Sequence, residues 1–386
     1  MNSEIQLKPA IIGGGIGGLT MANALQKAGI DFDLYEQAPE LTEVGAGIGL
    51  SNGALKLMDM LDLEDEIRAK SIPVKQMYLA DKQLHIRRIL PTDSPGVCIH
   101  RAILIDILKS RLPADKIHLS RKVADIESNT DHAKIHFDDG ESTISSVVIA
   151  ADGIHSVVRR SLYPDIEIRY IHQTIWRGIT HVEEPGILSD AYIEVWDEGL
   201  RFLTVPYNSK EIFWLAVQPA PPGLQDNPDE VKNELLELFQ NYHPTFKKLI
   251  QNSGKIIRND MNDLGSPDRP WSHNRVVFIG DSIHATTPNL AQGGCQAIED
   301  AVCLSLCLKA NSTGPEKAFQ TFQELRQKKV SSIVDTSWKF GVAAHSRNPF
   351  KHYLFRAILE YAPASFLEKQ EKQLNDISYL NDIDKA

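Results

Sequence analysis

The chain has 386 residues, of which 42% are apolar and 24% are charged, and its formal net charge is −10. This composition excludes a disordered chain, and the acidic balance argues against a nucleic-acid partner. The length predicts two domains, because single cores stop growing at about 250–300 residues. Apolar runs fall short of the roughly 18 residues that a membrane span needs, so none is expected.

The four cysteines show no metal-ligand spacing. They are expected to be free thiols, which suits a cytoplasmic location. The first residues lack a basic region followed by an apolar run, so no signal peptide is expected.

The first element is a short strand at 8–12, followed at once by a glycine-rich turn, a helical run over 19–27 and a second strand at 30–35. The glycines have the spacing of a dinucleotide-binding turn, in which they allow the turn, admit a pyrophosphate and pack helix on strand. The candidate cofactor-binding residues of this turn are Gly13, Gly15, Ile16, Gly17 and Gly18.

Glu36 ends the second strand, 18 residues beyond Gly18, where a carboxylate can accept hydrogen bonds from ribose hydroxyls. An acid at this position disfavours the 2′-phosphate of NADP. The unit predicts a dinucleotide site but leaves NAD and FAD both open.

A second glycine-rich segment spans residues 45–52. Its small residues suit a close approach of backbone to a flat ligand, with Gly47 as the candidate, although a plain loop explains it equally well. Residues 54–70 then predict one amphipathic helix. Arg101 stands at the start of the next helix, the unfavourable end for a cation. This placement favours contact with a ligand, and a surface ion pair stays open.

Two later buried strands also end in an acid and a glycine. Residues 146–151 lead to Asp152-Gly153, and residues 275–279 lead to Gly280-Asp281. Because ligands bind at the carboxyl ends of strands in doubly wound sheets, these carboxylates join Glu36 as site candidates.

An extended loop follows Asp281, passes through Pro288 and reaches Gly293-Gly294, where a helix begins. The unpaired N–H groups of that helix predict an electron-rich or anionic ligand. We expect His284 to fix the loop by hydrogen bonding and not to act as a base.

Residues 166–222 alternate apolar and polar side chains, which predicts an antiparallel sheet, and residues 229–252 read as helical. One sheet face could wall a substrate pocket. Phe202, Phe213 and Trp214 suit an apolar or aromatic substrate there, or belong to the core. The tail from residue 372 is polar and is expected to be frayed.

These pieces, in this order, resemble the single-component FAD-dependent aromatic hydroxylases, a group that includes salicylate hydroxylase, bacterial urate hydroxylase and zeaxanthin epoxidase. The resemblance covers nearly the whole chain and is most specific in the motif that runs from Gly280 to Asp300. It implies an α/β fold with a Rossmann-like FAD-binding domain like that of p-hydroxybenzoate hydroxylase, an inserted antiparallel-sheet substrate domain and C-terminal helices. The implied bounds are 1–72, 98–165 and 266–345 for the FAD-binding domain, 73–97 and 166–265 for the substrate domain, and 346–386 for the C-terminal segment.

The resemblance also implies a role for each candidate residue. The ADP half of FAD is expected at Gly13, Gly15, Gly18 and Glu36, and the ribityl–phosphate side at Arg101.

For the rest of the cofactor, Asp152 would serve the pyrophosphate and the docking of the nicotinamide cofactor, and Asp281 would bind the ribityl chain. Pro288 and the Gly293-Gly294 turn would lie beside the isoalloxazine ring.

The implied reaction is monooxygenation. NADH or NADPH reduces the flavin, O₂ adds to give a C4a-hydroperoxide, and one oxygen atom hydroxylates or epoxidises a small aromatic or conjugated substrate. The alternatives are an FAD oxidase or reductase without oxygen insertion and an NAD-dependent dehydrogenase. The oligomeric state is expected to be a monomer or a homodimer.

In the urate hydroxylase branch, an active-site arginine precedes a proline by five positions and a tyrosine by twelve. The matching residues here are Arg201, Pro206 and Phe213, so the tyrosine hydroxyl is missing. This disfavours urate, because an unpaired buried polar group costs about 1–3 kcal/mol. Arg201 is expected to pair with a carboxylate or phenolate, or to be a strand-surface arginine, and Arg177 is a second candidate.

Overall fold

The structure is a computed structural model that describes residues 7–41, 47–91, 96–183, 192–197, 199–208, 210–311, 314–346 and 348–385. The strands are β1 (Pro9–Ile12), β2 (Asp33–Tyr35), β3 (Gly47–Leu50), β4 (Ile72–Pro73), β5 (Gln76–Ala80), β6 (Ile86–Pro91), β7 (Val97–His100), β8 (Ile117–His118), β9 (Val123–Ser128), β10 (Ala133–Phe137), β11 (Ser142–Ser145), β12 (Val147–Ala150), β13 (Arg169–His181), β14 (Tyr192–Asp197), β15 (Leu200–Pro206), β16 (Glu211–Pro219), β17 (Ile257–Asp263), β18 (Ser272–His273) and β19 (Val276–Phe278).

The helices follow the same order along the chain. They are α1 (Ile16–Ala28), α2 (Asn52–Met60), α3 (Glu64–Ala69), α4 (Arg101–Ser110), α5 (Val157–Leu162), α6 (Val231–Leu238), α7 (Pro244–Gln251), α8 (Asp281–His284), α9 (Gly293–Ala310), α10 (Pro315–Ala344), α11 (Pro349–Tyr361) and α12 (Ala364–Leu374). Short 3₁₀ segments occupy Pro288–Leu290 and Ser378–Lys385.

The first sheet has six strands in the order β18-β19-β12-β1-β2-β8. Strands β19, β12, β1, β2 and β8 run parallel, and β18 is antiparallel at the edge. Strands β1, β12 and β19 are buried throughout, as expected for a parallel sheet that is covered on both sides. Since parallel strands end at one edge, the segments that follow β1, β2, β12 and β19 converge there.

The second large sheet has seven strands in the order β17-β13-β16-β15-β14-β5-β6. Helices α6 and α7 pack on one of its faces through a core that includes Trp176, Phe202 and Trp214. The residues between 166 and 222 therefore form an antiparallel sheet, as the alternation predicts. The domain bounds inferred from the resemblance stay a prediction.

Three local expectations differ from the structure. Residues 54–70 form two helices and not one, because the chain turns at Asp62, whose φ is 60°. Residues 229–252 also divide into two helices. The tail beyond residue 372 is not frayed where the structure describes it, since Tyr379 and the Asp376 carbonyl bond to groups on α9 and α10. Residues 45–46 of the second glycine-rich segment lie outside the described residues.

The four cysteines are all buried free thiols, as expected. Across the described part of the chain, none of the helices combines the length and the apolar character needed to cross a bilayer.

Candidate functional site

The glycine turn after β1 is built for close contacts. A Cβ on Gly18 would lie 1.9 Å from the Gly13 carbonyl oxygen, and a Cβ on Gly13 would lie 2.6 Å from the Ala151 carbonyl oxygen. A Cβ on Gly15 would meet no described atom within 4 Å. The turn therefore needs Gly13 and Gly18 for its own packing, whereas Gly15 leaves open space at the N-terminus of α1.

Glu36 folds back onto this turn. Its Oε2 accepts a hydrogen bond from the Gly14 N–H at 2.6 Å, and its Oε1 accepts one from the Ala38 N–H at 2.8 Å. Each carboxylate oxygen can accept a further bond, so the side chain can still bind a hydroxyl group. The structure thus brings Glu36 to the glycine turn.

Asp152 lies beyond the end of β12, beside Gly13. Its Oδ2 accepts hydrogen bonds from the N–H groups of Val157 and Val158 at 2.9 and 3.3 Å. Its Oδ1 is buried and has no hydrogen-bond partner among the described residues. Burial raises the pKa of Asp152, although the Ser156 hydroxyl and these N–H groups oppose the rise. An acceptor without a partner at this edge is suited to a ligand. The next residue, Gly153, turns the chain with a φ of 75°.

Asp281 begins the short helix after β19. Its side chain is solvent-accessible although protein surrounds it, as at the bottom of a recess. This burial raises the pKa of Asp281, and the charges of His284 and Arg101 oppose the rise. Arg101, at the start of α4, is therefore close enough to Asp281 for their charges to interact. Gly280 has a φ of 58°, and a Cβ at this position would lie 2.9 Å from the Ala297 Cβ. The backbone therefore needs a glycine here to enter the recess.

The N-terminus of α9 lies between the recess and the second glycine-rich segment. A Cβ on Gly293 would lie 3.7 Å from Asp281 Oδ1, and one on Gly294 would lie 2.7 Å from Ile48 Cδ1. The helix has no side-chain cap and no acid in its first turn. Its free N–H groups thus give this place a positive potential.

Gly47 connects this region to the seven-stranded sheet. A Cβ on Gly47 would lie 3.2 Å from Cys98 Sγ and 3.4 Å from the Phe213 ring. A side chain at this position would require the neighbouring atoms to move by a few tenths of an ångström, so glycine suits this close approach. A role of Gly47 in binding a ligand stays a prediction.

The loop around Pro288 is fixed to α10. Thr287 Oγ1 lies 2.7 Å from Ser337 Oγ, and Asn289 donates to the Ser337 carbonyl at 3.1 Å. Pro288 itself is exposed on this loop.

His284 is buried and lies 2.5 Å from Asp300 Oδ2, which confirms that it fixes the loop by hydrogen bonding. The same carboxylate accepts from the Gly280 N–H at 2.8 Å and from Arg326 Nε at 2.9 Å. Although burial alone raises it, His284 and Arg326 hold the pKa of Asp300 at about 2. Asp300 therefore ties the start of the motif to α9 and α10.

Glu299 completes a buried ionic cluster behind the motif. It accepts from Arg326 at 2.7 Å, from Lys329 at 2.8 Å and from the Tyr379 hydroxyl at 3.0 Å. Arg326, Lys329 and Tyr379 were not predicted from the sequence. The adjacent acids Glu299 and Asp300 on a buried helix could have indicated such partners, because buried carboxylates require cations.

The face of the seven-stranded sheet that points away from α6 and α7 is called the inner face below. The cross-strand register assigns the following residues to it: Arg177, Ile179, Tyr192, Glu194, Trp196, Arg201, Leu203, Val205, Phe213 and Leu215. Phe213, Val205 and Leu203 form a small buried cluster there with Cys98. Phe202 and Trp214 belong instead to the core under α6 and α7.

Arg201 lies on the inner face but is already paired. It lies 2.8 Å from Glu194, which sequence reasoning missed, and donates to Asn289 Oδ1 at 3.3 Å. Its guanidinium also stacks on Trp196, 4.6 Å from the ring centre. Sequence periodicity could not identify Glu194, because it lies on β14 and reaches the face that carries Arg201 only through the pairing of β14 with β15.

Arg177 lies on the inner face, near Arg101. It donates to the Asn259 side-chain oxygen. Burial lowers the pKa of Arg177, and the charge of Arg101 adds to that effect. Arg177, Arg101 and Asp281 are therefore brought into one neighbourhood.

Comparisons with known proteins agree with this geometry. The family model described as FAD binding domain matches residues 6–337. The aurachin C monooxygenase/isomerase of Stigmatella aurantiaca is 34% identical over 88% of this chain and 90% of that protein. The 3-amino-4-hydroxybenzoate 2-monooxygenase of Streptomyces cremeus is 31% identical over 85% of each chain. The crystal structure of Klebsiella pneumoniae HpxO with FAD and uric acid superimposes with a TM-score of 0.87 at 26% identity, covering 97% of this chain and 98% of that one.

The chain belongs to the FAD-dependent monooxygenase family. The fold expected from the resemblance, the FAD cofactor and the monooxygenase class are thereby confirmed. The roles of the individual residues stay predictions.

Proposed function

We propose that this monooxygenase uses NADH or NADPH and O₂ to hydroxylate or epoxidise a small aromatic or conjugated molecule, bound between its FAD site and the inner face. The observation that supports this most is a series of close approaches between the two sheets. An added Cβ would meet Asp281 at Gly293, Ile48 at Gly294, and Phe213 at Gly47.

Two features fit FAD in this place. The open space at Gly15, before an uncapped helix N-terminus, suits the backbone approach of a pyrophosphate. The partnerless Oδ1 of Asp152 is a buried acceptor that a bound ligand would satisfy. Residues at the edge of the six-stranded sheet therefore offer space for the pyrophosphate and a hydrogen-bond acceptor for the cofactor.

We assign the parts of the site as follows. Gly13, Gly15, Gly18 and Glu36, with Ile16 and Gly17 at the helix start, hold the ADP half of FAD. Asp152 and Gly153 serve the pyrophosphate region and the docking of the nicotinamide cofactor.

The reactive end of the cofactor is assigned to the motif after β19. Gly280 and Asp281 hold the ribityl chain, with Arg101 along its phosphate side. Pro288, Gly293 and Gly294 lie beside the flavin ring, where the N-terminus of α9 stabilises negative charge. When bound, FAD supplies hydride acceptance and oxygen activation.

In this proposal, the inner face binds the substrate. Leu203, Val205 and Phe213 present apolar surface beside Gly47, which positions the substrate and keeps water out. Arg201 is proposed to act on the substrate through its contact with Asn289, next to Pro288. The paired state of Arg201 limits what it can bind, as developed below.

The proposal also includes the cellular location and the oligomeric state of the enzyme. The four buried free thiols suit the reducing cytoplasm. The protein is proposed to be a monomer or a homodimer, which size-exclusion chromatography with light scattering distinguishes.

The decisive experiment measures oxidation of NADH and of NADPH by the yellow protein, with hydrogen peroxide quantified in parallel. Candidate substrates are phenols, benzoates, purines, quinolones and polyenes. A compound that accelerates oxidation while peroxide stays low, and that gains one oxygen atom by mass spectrometry, supports the proposal. If all reducing equivalents appear as peroxide with every compound, the protein oxidises NAD(P)H without inserting oxygen, and the result contradicts the proposal for these compounds.

A further inference from the structure

The charge of Arg201 is balanced inside the protein. The side chains of Arg201 and Glu194 are only 5% and 6% exposed, and the two lie 2.8 Å apart. Trp196 and Phe340 cover the guanidinium, at 4.6 and 6.0 Å from the ring centres. An anionic ligand would therefore compete with a carboxylate that is already in place.

Glu194 is buried, and this burial raises its pKa, whereas the charge of Arg201 opposes the rise. Its cross-strand neighbours are Leu203 on β15 and Leu79 on β5, which are both apolar. A carboxylate between two leucines is costly unless a cation accompanies it. Arg201 therefore supplies the cation that the buried Glu194 carboxylate requires, because the cross-strand neighbours of Glu194 are apolar.

Two further titratable groups lie near the cluster around Phe213, namely Arg177 on the inner face and His100 at the end of β7. Arg177 bonds to Asn259 and lies close to Arg101, on the side of Asp281. The His100 ring is tilted against that of Tyr207, with 5.3 Å between the ring centres, and burial lowers its pKa. The cluster around Phe213 is otherwise formed by aliphatic and aromatic side chains, including Tyr192 and Tyr207.

We propose that Glu194 determines the charge preference of the substrate site. By neutralising Arg201, it selects an uncharged, apolar aromatic molecule and disfavours aromatic carboxylates. This inference rests on the proposed function, because it names the substrate class for the same site.

The test compares ligands that differ by one carboxylate. Phenol is paired with salicylate, 1-naphthol with 1-hydroxy-2-naphthoate, and 4-quinolone with its 2-carboxylate. Binding to the FAD-loaded protein is followed by the change in flavin absorbance, which does not require turnover. The native protein is expected to bind the neutral member of a pair at least about tenfold more tightly.

The informative variant is Glu194→Gln, which leaves the Arg201 charge without its partner. Binding of the carboxylates is expected to tighten by about tenfold or more, because a charge-assisted hydrogen bond replaces the lost ion pair. The double variant Glu194→Gln/Arg201→Met removes both charges and is expected to keep the neutral preference. It also remains informative if the single variant folds poorly.

A matched control lies on the opposite face of the same sheet. Asp226 and Arg258 form a second buried pair at 2.7 Å, and Arg258 lies over Trp176. Asp226→Asn disturbs the sheet in a similar way but is expected to leave the ligand preference unchanged.

Two results would overturn the inference. One is a native protein that binds the carboxylates as tightly as their neutral partners. The other is a Glu194→Gln protein, with FAD retained, whose carboxylate binding is no tighter than that of the native protein. The proposed function fails separately, when no ligand gains oxygen even though the binding preferences change as expected.

Discussion

Phe213 and Trp214 are adjacent in the chain, but their side chains lie on opposite faces of the seven-stranded sheet. Trp214 is fully buried under α6 and α7, where its Nε1 donates to Ser253 Oγ at 2.7 Å. Phe213 lies on the inner face, against Gly47 and Cys98. One residue therefore belongs to the core and the other to the wall of the proposed pocket.

This division predicts different effects for the same substitution. Trp214→Leu is expected to lower the free energy of unfolding by about 3–5 kcal/mol, because it leaves a cavity and removes the hydrogen bonds that Nε1 donates to Thr180 and Ser253. Phe213→Leu is expected to cost less than about 1.5 kcal/mol but to change the order of preference among neutral substrates. Urea denaturation and substrate-stimulated NAD(P)H oxidation measure the two effects. Equal losses of stability would contradict the assignment of the two faces.

Gly15 offers a test of FAD binding that is separate from folding. Gly15→Ala adds a methyl group that meets no protein atom within 4 Å, so the apoprotein is expected to keep its stability. The methyl group enters the space assigned to the pyrophosphate, and FAD retention after purification is expected to fall at least tenfold. Flavin absorbance per protein measures it. Gly254→Ala, which also meets no described atom, is the control that should stay yellow.

Asp281 is the solvent-accessible carboxylate of the recess. Asp281→Ala is expected to weaken FAD binding by about tenfold or more, because it removes a hydrogen-bond acceptor assigned to the ribityl hydroxyls. Fluorescence titration of apoprotein with FAD gives the dissociation constant. Asp335→Ala on the exposed side of α10 serves as the control and should leave that constant unchanged.

Arg326 joins Glu299 and Asp300 in the interior. Arg326→Met is expected to destabilise the protein by about 3–5 kcal/mol, because it leaves two buried carboxylates without their main cation. Lys339→Met on the same helix should stay within about 0.5 kcal/mol, since Lys339 is exposed. Denaturant unfolding compares the two, and similar values would argue against the ionic cluster as a stabilising element.

The acid sensitivity of the fold should depend on Asp300. Its pKa of about 2 in the folded protein lies below the ordinary value of 3.8, so the unfolded chain binds its proton first as the pH falls. This contribution to stability is complete above about pH 4 and is lost as the pH falls toward 2. Unfolding free energies measured across this range should show a smaller slope in Asp300→Asn than in the native protein. An unchanged slope would assign the acid sensitivity to other carboxylates.

Much of the cofactor side could be predicted from the sequence. Asp152 and Asp281 each follow a buried apolar strand, Glu36 follows the partly buried β2, and parallel strands end at one edge. The distances around Gly13 and Gly18 could not be predicted, because they depend on how the turn packs against the end of β12.

The substrate side was less accessible to sequence reasoning. The alternation of residues predicted the sheet, but periodicity does not say which face meets the helices and which meets the flavin side. Phe202 and Phe213 therefore looked equivalent. The partner of Arg201 was also hidden, because Glu194 is seven positions away in the sequence and reaches it only through the pairing of β14 with β15.

The sequence by itself determined the family and the antiparallel sheet, and it indicated one sheet edge as the candidate FAD site, since each depends on local spacing or on strands whose ends must coincide. Tertiary structure alone decided that Arg201 is paired with Glu194 and that Phe213 faces Gly47. It also decided that Arg326, Lys329 and Tyr379 bond to the acids at the end of the motif. The physical reason is that a buried charge or ring takes its role from its neighbours in space. Those neighbours come from distant parts of the chain.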